Sequence, residues 1–135
     1  MSLIYDLPFL LFILCSLPGY ILKKKFHPGF KQRLGFLDVH FEIRPIWLHA
    51  VSVGEAKACE QLLRELRKAY PGVPIAISTV TPTGNKIAKS LAIDGDIVFY
   101  LPLDLSFIVR SVIEKIDPAM FIIAETEIWP NLISL

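Results

Sequence analysis

A chain of 135 residues with 53% hydrophobic and 20% charged side chains, and a mean hydropathy of +0.52, is too apolar to be an ordinary water-soluble domain throughout. Its formal charge of +1 hides an asymmetry, a basic cluster just after an apolar run, and two cysteines, Cys15 and Cys59, cannot build the disulfide framework of a small secreted fold. A reducing compartment fits this cysteine usage better.

The excess apolarity lies at the N-terminus, where "LIYDLPFLLFILCSLPGYIL", Leu3 to Leu22, carries a single charge, Asp6. Lys23, Lys24, Lys25, Lys31 and Arg33 follow it. A signal peptide has the reverse order, basic before apolar, and "FIL" ahead of Cys15 is too bulky for the site of a lipid-modified cysteine. The segment therefore reads as a retained membrane anchor. Crossing a bilayer core of ~30 Å takes about 20 helical residues, and Asp6, Pro8 and Pro18 shorten the clean run, so tilted spanning and shallow insertion both fit. The basic cluster places the remainder on the cytoplasmic side and adds about 1 kcal/mol of attraction per Lys or Arg near an anionic leaflet.

From Pro45 onward, short apolar runs alternate with segments of helical period, the pattern of βαβ units and a parallel sheet. Strands are predicted at Ile46–Val51, Ile75–Thr79, Ile97–Tyr100 and Met120–Ala124. Between them, Cys59, Leu62, Leu63, Leu66 and Tyr70 form one helical stripe, with Glu60 and Arg64 as an i,i+4 pair. Thr81 with Pro82 opens a second helix, and Asp104 or Ser106 a third, with the stripe Ile108, Val109, Val112, Ile113 and Ile116. A last helix starts near Trp129–Pro130 and runs about a turn and a half before Leu135. That short ending suggests a fragment of a longer polypeptide.

In open parallel sheets ligands bind beyond the carboxyl ends of the strands, and the unusual polar residues cluster there. Ser52-Val-Gly-Glu55 has the spacing of a capping box, in which the glutamate reaches back to the cap's backbone N–H. Glu55 also begins the buried helical stripe, where a carboxylate could act as general base. Periodicity does not choose between capping and chemistry. "STVTPTG" offers hydroxyls, Gly84 and a helix N-terminus suited to an anion, but it is neither a Walker loop nor a GxGxxG fingerprint. "ETEIWPNL" places Glu125 and Glu127 beside Trp129 and Pro130. His27, His40 and His49 lack partners at metal-ligand spacing, and His49 reads as a hydrogen-bonded scaffold residue.

In order and spacing, "IWLHAVSVGE", "STVTPTG", "YLPLD" and "ETEIWPNL" resemble the N-terminal domain of the 3-deoxy-D-manno-octulosonic acid (Kdo) transferases, and "FKQRLG" resembles the basic stretch before that family's first strand. The resemblance implies an α/β fold: a Rossmann-like parallel sheet forming the N-terminal half of a GT-B glycosyltransferase, preceded by an anchor helix. Residues 1–22 would be that helix, 23–44 a basic juxtamembrane linker and 45–135 a partial acceptor-binding domain. It further implies inverting, metal-free transfer of Kdo from CMP-Kdo to a lipid A precursor at the cytoplasmic face of the inner membrane. Glu55 would be the general base. Ser52, Gly54, Thr81, Thr83, Gly84 and Glu125 or Glu127 would line the cleft, and Lys31 and Arg33 would meet the acceptor's phosphates. No cofactor and no nucleic acid are implied. CMP-Kdo would be held chiefly by a C-terminal domain missing here, so this chain alone is expected to be inactive. The alternatives are a non-catalytic membrane-tethered α/β module binding anionic lipid or a partner, and another GT-B enzyme with a lipid acceptor.

Overall fold

The computed structural model describes residues 2–22, 29–124 and 129–134. An N-terminal helix, α1 (Ser2–Leu22), and a single turn, α2 (Phe30–Arg33), precede an alternating α/β unit. That unit runs β1 (Ile46–His49), α3 (Val53–Ala69), β2 (Ile75–Thr79), α4 (Pro82–Leu91), β3 (Ile97–Tyr100), α5 (Ser106–Ile116), β4 (Met120–Ile123) and α6 (Pro130–Ser134). The four strands form one sheet in the order β3-β2-β1-β4, parallel throughout, the arrangement of a Rossmann-like fold. Each predicted strand is present, the first and last ending one or two residues early.

β1 is central and buried at every position, as expected of a strand covered on both faces. The pleat sends its side chains alternately to two cores. Ile46 and Leu48 meet Ala56, Cys59, Leu63 and Leu66 of α3 and Ala88 of α4. Trp47 joins Val109, Val112 and Ile116 of α5 and Leu132 of α6. Its ring contacts Phe99 of β3 and Phe121 of β4, with centroids 5.5 and 4.8 Å away, so one indole ties together three strands.

The predicted helical stripes hold with two corrections. Leu62 and Tyr70 are 37% and 44% exposed rather than buried, and Ala56 takes the core position that the spacing had not assigned. Of the two starts read for α5, Ser106 is its first residue; the N-cap is Leu105, which makes no side-chain capping bond. Asp104 is turned instead to α6, accepting hydrogen bonds from the N–H groups of Asn131 and Leu132 at 3.1 and 3.0 Å. The start of α5 is capped from far away in sequence, by Asp6 of α1, which accepts from Ser106 N–H at 3.0 Å. The surface pair Glu60–Arg64 forms as expected, at 3.3 Å.

Residues 29–44, read from sequence as part of a linker, pack on the body. Leu37, Val39 and Phe41 enter the Trp47 core. Gln32 Oε1 accepts from Tyr100 N–H at 3.1 Å, and Leu103 N–H donates to Arg33 O at 2.8 Å, which covers the outer edge of β3. α1 contains Pro8 and Pro18, and among the described residues no helix is long and apolar enough to cross a membrane.

Gly29 sits against the Tyr100 ring so closely that a Cβ there would overlap it. Gly29→Ala should lower stability by about 1–3 kcal/mol through overpacking. In Tyr100→Ala, where the ring is gone, the same change should cost far less. A urea-unfolding double-mutant cycle reads the difference, and simple additivity would contradict the contact.

Candidate active site

Parallel strands deliver all their exits to one rim, and backbone bonds fasten the exit loops to one another there. Ala50 N–H donates to Ser78 O at 3.0 Å, Val80 N–H to Val51 O at 3.3 Å and Ala124 N–H to His49 O at 2.9 Å. Gly84 completes the clamp. An added Cβ at this position would come within 3.2 Å of Val51 O and 3.3 Å of the Ser52 carbonyl carbon, so glycine lets the start of α4 press on the β1–α3 loop.

Glu55, in the first turn of α3, is folded back over this loop. Its Oε2 accepts from Val51 N–H at 2.5 Å and its Oε1 from the Ser52 hydroxyl at 2.7 Å. The predicted capping box is therefore closed in a different way. The glutamate meets the N–H one residue before the cap, and Ser52, the N-cap, donates its hydroxyl to the carboxylate and makes no side-chain bond to the helix N–H groups. Sequence spacing identified the partners but could not assign the direction of the hydroxyl.

Glu55 is half-buried and lines an open crevice of about 350 Å³ with Gly54, Ala58, Cys59, Leu62 and Ala124. Leu62, which fails to enter the core, forms part of this wall, and Ala124 brings in the exit of β4. An ionised carboxylate offers about four lone-pair sites, and the two bonds from the loop use only half of them. Such a group is fixed in orientation and still able to accept a hydrogen bond, or a proton, from a hydroxyl entering the crevice.

The other sequence candidates are distributed unevenly. Thr81 caps α4, its Oγ1 accepting from Gly84 N–H at 3.0 Å, with Pro82 in the first turn, while Thr83 is exposed beside it. Thr79 is fully buried and accepts from Asn85 Nδ2 at 3.3 Å, a polar support for the loop. Lys31 and Arg33 are on α2 at the β3 edge, where Arg33 Nε donates to Leu101 O at 3.3 Å. Two strand spacings, about 10 Å, separate β3 from β1, so these cations do not enter the crevice of Glu55. Glu125 and Glu127 lie outside the described residues. Among the described residues no cluster of His, Cys, Asp and Glu could hold a metal ion.

His49 ends β1 and is fully buried. Its Nδ1–H faces the Ser78 carbonyl at 3.1 Å and the Ser78 hydroxyl at 2.9 Å, and the same hydroxyl oxygen accepts from Trp47 Nε1 at 2.8 Å. Nε2 is buried without a partner among the described residues. Burial holds the imidazole below its ordinary pKa, outweighing the bond to Ser78 and the negative charge of Glu55, both of which raise it. The scaffold role read from sequence fits this setting.

The described residues thus form a Rossmann-like α/β unit with Glu55 held beside a crevice at the strand-exit rim. The chain belongs to the 3-deoxy-D-manno-octulosonic-acid transferase (kdotransferase) family, whose family model matches residues 28–135. It is 44% identical over 88 residues to the 3-deoxy-D-manno-octulosonic acid transferase of Haemophilus influenzae, covering 65% of this chain and 21% of that protein. It is 31% identical over 140 residues to the Chlamydia trachomatis protein of the same name and 29% identical over 136 residues to that of Chlamydia pneumoniae. Those matches cover 98% and 96% of this chain and 32% and 31% of the relatives. The chain thus spans between a fifth and a third of the length of these relatives.

The buried neutral His49 has a pH signature. Well above pH 6.5 both folded and unfolded forms are uncharged at this residue, and it contributes no pH dependence. As pH falls below that value the unfolded chain takes up a proton that the folded chain refuses. Stability then declines by up to about 1.4 kcal/mol per pH unit until the lowered folded pKa is reached. Urea midpoints between pH 7 and 5 should fall less steeply in His49→Gln than in the parent, and equal slopes would contradict a neutral imidazole.

Proposed function

We propose that this protein supplies the acceptor side of a GT-B glycosyltransferase that moves Kdo from CMP-Kdo to a lipid A precursor, with Glu55 as general base. The observation that carries the reading is Glu55, whose carboxylate is held by Val51 N–H and Ser52 Oγ in a residue that lines an open crevice at the sheet rim. Membership of the Kdo transferase family supports the reaction class.

In the proposed step an acceptor hydroxyl enters between Leu62 and Ala124 and donates its hydrogen bond to a free lone pair of Glu55. As the acceptor oxygen forms its bond to the anomeric carbon of Kdo, its proton passes to Glu55. The bond from that carbon to the CMP phosphate oxygen breaks on the opposite face, CMP departs with the electron pair, and configuration inverts. The Ser52 hydroxyl and Val51 N–H stabilise the carboxylate before the step and fix its aim, the preorganisation that makes proton transfer effective. Thr81 and Gly84 act by bracing the β1–α3 loop, Gly54 leaves the crevice mouth open, and Thr83 is at its outer margin. Lys31 and Arg33 meet phosphates of the acceptor away from the reacting hydroxyl, and Glu125 or Glu127, both outside the described residues, holds either the acceptor or the base's geometry. The N-terminal segment holds the protein to the cytoplasmic face of the inner membrane, where the acceptor resides.

One observation favours a second reading. Both Glu55 oxygens already have partners in their own loop, as a purely structural cap would require. Glu55→Gln in a full-length transferase carrying this segment separates the two. General-base loss should lower kcat by about 10²–10⁴ with KM little changed. A structural cap would lower only stability, by about 1 kcal/mol, and leave turnover intact. Ser52→Ala should lower kcat less than Glu55→Gln, because Val51 N–H still holds the carboxylate.

A further inference from the structure

Of Gly29, Gly35, Gly54, Gly72, Gly84 and Gly95, all but Gly54 have a structural cause. Gly35, Gly72 and Gly95 have positive φ, and at Gly29 and Gly84 an added Cβ would collide with the side chains of Tyr100 and Thr81. Gly54 has neither reason. Its φ is not positive, and a Cβ there would meet nothing nearer than Ser52 Oγ at 3.9 Å. In the first turn of α3 the fold would therefore accept alanine, a better helix former. What the missing side chain leaves clear is the crevice, for Gly54 is exposed and lines it beside Glu55.

The crevice follows α3 away from its first turn. Gly54, Ala58 and Leu62, at i, i+4 and i+8, form an exposed row on one flank of the helix that rises about 12 Å, and Cys59 and Ala124 complete the lining with Glu55. Other charges of α3 are paired outside the crevice, Glu60 with Arg64 and Glu65 with Lys68. Burial, and then the charge of Glu55, push the Cys59 thiol above its ordinary pKa, so it is neutral at pH 7. Glu55 is thus the one charge among the described lining residues, with no cation beside it.

That combination selects by chemistry. A lone carboxylate in an otherwise apolar cleft repels an anionic group and offers it no cationic partner. It suits an uncharged group that brings a hydroxyl to Glu55 and a carbon surface to the rest of the lining. A sugar ring has both, hydroxyls at its edge and C–H groups over a face. Leu62, 37% exposed, is apolar surface that such a face would remove from water.

We propose that Gly54 and Leu62 are specificity-determining residues for the acceptor: its ring lies along the Gly54–Ala58 surface of α3, carbon face against Leu62, with one hydroxyl at Glu55. Gly54 supplies the width and Leu62 the apolar contact. The inference rests on the proposed function and deepens it, because it divides the acceptor: an uncharged ring enters the crevice, and its phosphates stay outside.

Kinetics of a full-length transferase carrying this segment, with acceptor and donor varied separately, test the assignment. Gly54→Ala should leave the melting temperature unchanged or higher and raise the acceptor KM about tenfold, because a methyl group then stands where the ring lies. Leu62→Ala should raise the acceptor KM about fivefold, as the exposed share of one leucine is lost from the contact. Donor KM should stay at the parent value in both. A lower melting temperature in Gly54→Ala would mean that packing requires the glycine and would overturn its role in the crevice. Parent-like acceptor KM in both variants, with Glu55→Gln inactive, would overturn the specificity assignment and leave the general base standing. Raised acceptor KM in both, with Glu55→Gln fully active, would remove the general base and keep Gly54 and Leu62 as binding determinants. Equal rises in acceptor and donor KM would mean general damage to the domain and would overturn the assignment.

Discussion

Everything functional in this molecule depends on β1 being held between two parallel neighbours with its exit loop stitched to theirs. The ladder of β1 with β2 and β4 continues one residue past the strands, through Ala50 to Ser78 and Ala124 to His49. A parallel sheet sends every following helix away from the same rim, so the first turns of α3, α4 and α5 gather where these bonds fix the loops. Glu55 has a defined position only because Val51, whose N–H it accepts, is itself held by Val80 and overlaid by Gly84. Loss of that close approach would move the loop and the carboxylate together.

The pleat of β1 adds a division of labour. Leu48 faces the α3–α4 core, below the Glu55 crevice, while Trp47 and His49 face the side of α5 and α6 and share the Ser78 hydroxyl. The shared Ser78 hydroxyl fixes register, because a one-residue slip would bring Ile77 or Thr79 to the position of Ser78. The polar network on one face thereby holds the strand whose exit positions the carboxylate on the other.

Much of this was legible in the sequence, for reasons that mark where legibility ends. The strands and the Thr81–Pro82 helix start are local signals of period and capping, and each appears within one or two residues of its reading. The Ser52–Glu55 pairing was legible as proximity but not as donor and acceptor, since spacing says nothing of where a hydroxyl hydrogen points. Leu37, Val39 and Phe41 alternate with Asp38, His40 and Glu42, a pattern that could have placed residues 37–42 on the core rather than in a linker. Asp6 was illegible in kind. Read locally, it interrupts an apolar helix; its meaning lies in Ser106 and Asn131, which no window of sequence brings near it.

The carboxylates around the sheet show what distinguishes a working group from a structural one when all are hydrogen-bonded. Asp96, near the opposite end, accepts from Ile75 and Ile93 N–H and pairs with Arg67 at 2.6 Å, leaving 3% of its side chain accessible. Asp104 is 1% exposed and is occupied by two N–H groups of α6, with burial raising its pKa despite those bonds. Asp6 accepts three donors. Each of these holds separate elements together, and freeing it for a substrate would detach one of them. Glu55 accepts two bonds from within its own loop, so its binding there orders nothing distant, and the residue lines an open crevice. A carboxylate can accept a proton in a reaction only if the fold survives the loss of its negative charge for the duration of the step. Among these four, that condition is met where the bonds are local, and this is the physical reason why Glu55 is the one proposed as general base.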